Sequence, residues 1–280
     1  MRAMLNYPEI DPVALSLGPL KVHWYGVMYL LAFSGGWWLA RIRAAKEGSG
    51  WSAEQVDDVV FYFVLGAVLG GRLGYTLFYS WSGFVADPLS LIKVWEGGMS
   101  FHGGLIGVLV AMGLFAKRQG KTFFQTTDFI APFVPFGLFT GRIGNFINGE
   151  LWGGPADVPW GMRLPCAEFP SYCVGLASGT QWSLPVHPSQ LYESLFEGVI
   201  LFLILWVYSS QPRPRMAISG MFLLGYGLFR SGVEFIRLPD AHIGYLAWGW
   251  VTQGQVLSLP MLFFGVLLLV MAYKNKRISG

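Results

Sequence analysis

The sequence predicts an all-α polytopic membrane protein with seven transmembrane helices, its N-terminus outside, its C-terminus inside and a small head on the outer face. Three observations carry that expectation. Of 280 residues, 54% are hydrophobic, 16% aromatic and only 12% charged, with a mean hydropathy of +0.49; a soluble domain carries about a quarter of its residues charged. Seven windows are apolar over the roughly 20 residues that a helix needs to cross about 30 Å of hydrocarbon. Lysine and arginine alternate in abundance between successive connections. The net charge of +3 is too small an excess to indicate a nucleic-acid partner without a basic patch.

The first window, residues 22–40, has no small-residue cleavage site and is followed by others like it. It reads as a retained span rather than a signal peptide, and the mature chain is expected to start near Met1. The second and third, residues 56–78 and 100–116, contain Gly66, Gly70 and Gly74 and Gly103 and Gly107, a four-residue spacing that suits close packing of membrane helices. The fourth, residues 128–147, is interrupted by Pro132, Pro135 and Gly137, a break tolerated where neighbours satisfy the freed backbone groups. Residues 148–189 then form a connection rich in Pro, Gly and Trp, read as a head inserted between spans four and five of a single transmembrane domain, residues 1–280. Its two cysteines, Cys166 and Cys173, fit a disulfide in an oxidising compartment and fit two unpaired, partly buried thiols equally well. Their spacing fits no zinc site, and no metal motif is present elsewhere. Residues 190–208, 217–236 and 254–273 complete the set.

Orientation follows from the basic residues, which favour the inner side. Arg41, Arg43 and Lys46 follow the first span, Lys117, Arg118 and Lys121 the third, Arg213 and Arg215 the fifth, and Lys274, Lys276 and Arg277 the last. The opposite connections hold only Arg2, Lys21, Lys93, Arg163 and Arg237.

An ionisable side chain inside a bilayer is costly, roughly 2.5 to 3.5 kcal/mol on insertion scales, so those that remain are functional candidates. Arg72, Arg142, Arg230 and Glu234 qualify, and the orientation puts all four in the outer half. Tyr25 and His102 open inward-running spans and His187 precedes the fifth, at the same depth. Polar groups from several spans meeting at one depth are what a buried site requires, whereas a structural set would scatter. The densest stretch runs from Gly141 to Gly153. Its glycines let backbone approach a bound group, and Arg142 offers a fork matched to phosphate oxygens. A helix C-terminus capped by glycine with a snorkelling arginine is the plainer account, but a cap needs neither Asn145 and Asn148 nor Glu150. Arg230 and Glu234 share a helix face, either neutralising each other or presenting a second arginine to a phosphodiester. His102 could take a proton from a thiol, or simply bond a neighbouring helix.

These residues resemble the bacterial prolipoprotein diacylglyceryl transferase family across nearly the whole chain. The resemblance rests on the stretch Gly141 to Gly153, on Phe101-His102-Gly103-Gly104, on His187-Pro188-Ser189-Gln190-Leu191-Tyr192-Glu193 and on Arg230 through Arg237. It implies a multi-pass enzyme of the bacterial cytoplasmic (inner) membrane, with the N-terminus and head periplasmic, the C-terminus cytoplasmic and the active site toward the periplasm. The implied reaction moves the diacylglyceryl group of phosphatidylglycerol to the lipobox cysteine of a prolipoprotein signal peptide, forming a thioether and releasing glycerol phosphate without a cofactor. By the same resemblance Tyr25, His102, Arg142, Asn145, Glu150, Gly153, Arg230 and Glu234 are functionally important, with Tyr226 near the lipid. We expect thiolate attack with His102 as base, Arg142 and Arg230 on the phosphate, and Asn145, Asn148 and Glu150 positioning the headgroup or the arginines. Glu234 is the alternative proton acceptor. A lipid-facing opening is expected, with the broken fourth span as candidate gate.

A secondary transporter of an anionic solute is the main rival, since broken helices and outer-half charges also serve solute sites. It predicts midplane polar residues and symmetry between halves, and neither is evident. An intramembrane protease would need a Gly-x-Ser-x-Gly or helical His-Glu-x-x-His motif, and the sequence has neither.

Overall fold

A computed structural model describes residues 5–18, 20–93, 97–239 and 244–275. Helix falls on every one of the seven windows, and four helical segments are long and apolar enough to cross a membrane: Ala53–Tyr79, Phe101–Arg118, Ser189–Tyr208 and Gln253–Lys274. Ala217–Val233 is a shorter apolar helix. The chain is therefore a mostly helical, polytopic membrane protein. Of the residues used for orientation, Arg2, Lys276 and Arg277 lie outside the described residues. The described chain forms two compact units, and α1 (Trp24–Ala44) contributes to both.

One unit takes its described residues from Trp37–Ile130 and Pro212–Met216. In it, α2 (Ala53–Tyr79) starts at a capping box: Ser52 accepts from the Gln55 N–H at 3.1 Å, and Gln55 accepts from the Ser52 N–H at 3.2 Å. A six-residue helix, α3 (Trp81–Ala86), follows. Ser100 caps α4 (Phe101–Arg118), whose last turn carries Lys117 and Arg118 at the negative end of the helix dipole. The glycines of α2 and α4 face each other as the spacing predicts. A Cβ on Gly66 would stand 2.6 Å from the Gly107 carbonyl oxygen, and one on Gly74 would stand 2.7 Å from the Gly103 Cα, so only glycine lets the backbones meet.

Arg72, a candidate for the outer-half site, has another task. Buried, it donates to the carbonyls of Ser90, Leu91, Gly97 and Gly98 and so ties down the connection after α2. Carbonyls in an apolar setting need donors, and one guanidinium supplies them to four, including the Ser90 carbonyl that also accepts from the Lys93 N–H at 3.3 Å.

The fourth window is two helices, not one. α5 (Phe123–Ile130) ends in a 3-10 turn at Ala131–Phe133, and α6 (Val134–Ile147) restarts with Pro135 in its first turn. Pro132 and Pro135 lack the N–H groups that an unbroken helix would use, but Pro135 suits a helix start, where that N–H has no partner anyway.

The other unit takes its described residues from Met1–Gly36, Ala131–Gln211 and Ala217–Asn275. It contains α6 and a continuous helix made of α7 (Ser189–Glu193), a π-helical segment (Ser194–Ile200) and α8 (Leu201–Tyr208). It also contains α9 (Ala217–Val233) and α10 (Gln253–Asn275). Leu201, Leu205 and Ile218 pack with Ala131 as one core.

The head has a core of its own, Tyr7, Trp152, Leu164 and Val186, with Phe146 and Phe169 against it. Strand β1 (Leu5–Asn6) pairs in parallel with β4 (Met162–Arg163), while β2 (Val13–Leu17) and β3 (Leu20–His23) form a hairpin. Cys166 and Cys173 form a disulfide, which decides between the two sequence readings.

Candidate active site: buried arginines and glutamates

The site is built on α6, the π-containing helix, α9 and the first turn of α10, all in the second unit. Gly198, in the π segment, meets Phe139 of α6 so closely that a Cβ there would stand 2.7 Å from the Phe139 Cβ. Phe139 and Arg142 are three residues apart and share a helix face, so this approach delivers Arg142 to the helix carrying Glu193 and Glu197. A π turn in a helix leaves side chains out of the regular α register, a device common at functional sites.

Glu193 is the hub. Its Oε2 pairs with the Arg142 Nε at 3.2 Å, while its Oε1 accepts a close hydrogen bond from Arg230 and lies 3.4 Å from Arg237 Nη1. Arg230 Nη2 pairs with Glu234 Oε1 at 2.5 Å, and Arg237 Nη1 lies 3.6 Å from the same oxygen. The Thr252 hydroxyl donates to Glu234 Oε2, and the same hydroxyl caps α10 by accepting from the Gln255 N–H at 3.2 Å. Glu197 is held more loosely, 3.8 Å from both Arg142 Nη2 and Arg230 Nη1. Glu193 and Glu197 are completely buried, and the three arginines are 12 to 18% exposed. Three guanidiniums and three carboxylates balance, which is what burial of six ionisable groups demands. A cavity of about 130 Å³ opens beside them, lined by Arg230, Glu234, Arg237, Thr252, Gly254 and Leu257.

The stretch from Gly141 to Gly153 serves both purposes weighed from sequence. Gly149, at φ +69°, ends α6: its N–H reaches the Phe146 carbonyl and the Glu150 N–H the Asn145 carbonyl, at 3.1 and 2.9 Å. Arg142 meanwhile enters the cluster and donates to Asn145 Oδ1 at 3.4 Å. Asn145 is buried, whereas Asn148 donates to an exposed Glu150 at 2.9 Å. Gly144 makes room for Tyr25, whose Cδ2 would lie 3.2 Å from an added Cβ; the Tyr25 hydroxyl meets that of Tyr29 at 3.3 Å. Gly153 sits at a crossing of backbones: its N–H donates to the His187 carbonyl at 2.8 Å and its own backbone bridges Arg237. Tyr226 stacks on Phe222, their ring centres 6.0 Å apart, one turn before Arg230.

The block His187 to Glu193 is tied to that stretch. The Ser189 hydroxyl donates to the Leu151 carbonyl at 2.5 Å and the Gln190 amide donates to that of Glu150. His187 Nδ1 lies 3.0 Å from the Tyr192 hydroxyl, and burial pushes its imidazole below the usual histidine range. Burial likewise raises the Tyr7 phenol, which donates to the Phe146 and Ile147 carbonyls at 2.9 Å each and so clamps the end of α6.

Of the residues named from sequence, Arg142, Asn145, Arg230 and Glu234 come together in the cluster, Gly153 and Tyr226 adjoin its elements, and Asn148 and Glu150 pair beside the end of α6. His102 belongs to the other unit, exposed in the first turn of α4. Sequence reasoning missed Glu193, Glu197 and Arg237. Both glutamates fall inside the fifth apolar window and meet the same criterion that singled out Arg142. Arg237 lies one residue past the sixth apolar window, residues 217–236, and so reads from sequence as part of a connection.

These features define a class: a polytopic membrane protein with a neutral, buried arginine–glutamate cluster open to a small cavity. The family model described as prolipoprotein diacylglyceryl transferase matches residues 12–271. The chain is 56% identical over 277 residues to a phosphatidylglycerol–prolipoprotein diacylglyceryl transferase of Ectopseudomonas mendocina, covering 99% of each chain. It is 57% identical over 274 residues to one of Oleidesulfovibrio alaskensis, covering 98% of this chain and 97% of the relative. To one of Methylococcus capsulatus it is 55% identical over 274 residues, covering 98% and 99%. The chain belongs to the prolipoprotein diacylglyceryl transferase family.

Proposed function

We propose that the protein transfers the diacylglyceryl group of phosphatidylglycerol to the lipobox cysteine thiol of prolipoproteins. Beyond family membership, one observation carries the reading: Arg142 and Arg230 grip opposite oxygens of the buried Glu193, so two guanidinium forks are held on a common support, and Arg230 also lines a cavity. Such forks suit the non-bridging oxygens of a phosphodiester. A transporter of an anionic solute is not favoured, since the relatives are named as transferases.

In the reaction the cysteine thiolate attacks the glycerol carbon that bears the phosphate. A C–S bond forms, the C–O bond breaks, and the electron pair leaves with glycerol phosphate, where Arg142 and Arg230 stabilise the growing charge. The thiol proton goes to a base, and we assign His102. Glu234, whose two oxygens are engaged by Arg230 and Thr252, is suited to holding Arg230 rather than to taking that proton. Asn145 orients Arg142; Asn148, Glu150, Tyr25 and Tyr226 contact the lipid headgroup; and Gly153 keeps Arg237 in place. Seven spans with the N-terminus and the 148–189 head in the periplasm would make a single catalytic domain of the inner membrane and put this chemistry where secreted precursors emerge.

Mass spectrometry of a lipobox peptide incubated with the purified protein and phosphatidylglycerol tests the function. The expected result is a diacylglyceryl mass gain on the cysteine, absent with Arg142→Ala and with a cysteine-to-serine peptide. No gain with folded protein would remove the assignment. Near-normal transfer by His102→Gln at saturating lipid would remove the base.

A further inference from the structure

The three carboxylates of the cluster are not equivalent. Glu193 has a close hydrogen bond from Arg230 and a 3.2 Å pair with Arg142, and Glu234 has a 2.5 Å pair and a hydroxyl donor. Glu197 is as buried as Glu193, yet neither of its oxygens has a hydrogen-bond donor among the described residues. It presents one oxygen to each arginine, Oε2 to Arg142 and Oε1 to Arg230, both at 3.8 Å. A buried carboxylate without donors is poorly stabilised, and a ligand offering the same charge with better geometry replaces it most readily. A phosphodiester is such a ligand, with one negative charge spread over two oxygens.

We propose that Glu197 is a resident counter-ion for the lipid phosphate: in the lipid-free protein it neutralises Arg142 and Arg230, and the incoming phosphodiester takes over those two guanidiniums from it. Glu193 stays in place as the support of both arginines. This rests on the reading of Arg142 and Arg230 as the phosphate site. The groups facing Glu197 are Arg142 from α6, Glu193 from its own helix, Tyr226 and Arg230 from α9, and Arg237 just beyond it. Glu197 thereby sets how tightly phosphate is held, acting through the arginines rather than on the reacting atoms.

The test is steady-state transfer to a lipobox peptide by the full-length protein, with phosphatidylglycerol titrated. Glu197→Gln removes the competing charge, and KM for the lipid is expected to fall by at least about threefold, with tighter inhibition by added glycerol phosphate. Glu193→Gln is expected to do the reverse, raising KM and lowering kcat. Should Glu197→Gln fail to fold, Glu197→Asp withdraws the carboxylate by one methylene and is expected to lower KM to a smaller extent. An unchanged or raised KM in a folded Glu197 variant that still transfers lipid overturns the proposal. Absence of thioether product from the unaltered protein would instead sink the functional reading.

Discussion

Replacing Glu193 by Gln keeps the size and shape of the hub and removes its charge. Three guanidiniums, 12 to 18% exposed, are then left with two carboxylates, Glu197 and Glu234. Removing one member of a buried ion pair typically costs about 3 to 5 kcal/mol, because the partner is left uncompensated. For a chain of this size that corresponds to a melting temperature lower by on the order of 10 °C. Arg142 and Arg230 also lose their common support, so transfer falls even where the variant is folded. The assay is thermal unfolding in detergent with parallel lipid transfer, run for Glu193→Gln, Arg237→Gln and the double variant. The double variant restores neutrality, and its loss of stability is expected to be smaller than the sum of the two single losses by at least about 1 kcal/mol. Additive losses, or a single variant melting within about 2 °C of the parent, would show that charge balance does not hold the cluster together.

Gly153→Ala puts a methyl 2.8 Å from the Ile236 carbonyl oxygen and 2.9 Å from the His187 Cβ, so melting is expected to drop by the equivalent of about 1 to 3 kcal/mol, and transfer falls as the backbone of Arg237 shifts. Thr252→Val removes both the donor to Glu234 and the cap of α10; it should destabilise by about 1 to 3 kcal/mol, measured by the same melt. His187 provides a pH test. Its imidazole, depressed by burial, takes up a proton at lower pH in the folded protein than in the unfolded chain, which does so near pH 6.5. Stability is therefore full above that pH and declines as the pH falls below it, and His187→Asn should flatten that decline below about pH 6.5.

Much of the fold was legible because membrane insertion imposes strong patterns. Ala53–Tyr79 and Gln253–Lys274 announce themselves by length and apolarity, and the facing glycines of α2 and α4 by spacing. The fourth window gave away its break through Pro132 and Pro135, though not that the break is a full 3-10 turn. Half of the ion cluster was legible by one rule, that charge inside a span needs a reason; applied evenly, the rule also reaches Glu193 and Glu197. The π segment was not legible, since its register depends on how Gly198 meets Phe139, a contact between residues far apart in sequence. The same holds for Tyr7, whose clamp on α6 spans 139 and 140 positions. Arg237 is visible in the sequence only as the end of the block Arg230 through Arg237, because its place in the cluster comes from the backbone bridge to Gly153.

The two densest blocks of the sequence, Gly141 to Gly153 and His187 to Glu193, turn out to be one structural device. Arg142 needs a fixed position, yet it sits near the end of a 14-residue helix, where ends fray. Four constraints act on that end: the Tyr7 hydroxyl on the carbonyls of Phe146 and Ile147, Gly149 closing the last turn, and Ser189 and Gln190 on the carbonyls of Leu151 and Glu150. The last two come from the helix that also supplies Glu193 and Glu197. One helix thus fixes both the backbone after Arg142 and the carboxylates that receive its guanidinium, and this is why polar Ser189 and Gln190 stand, fully buried, directly before the acidic pair. Their hydrogen bonds fix the backbone that follows the arginine, so that under the proposed phosphate role binding need not order it.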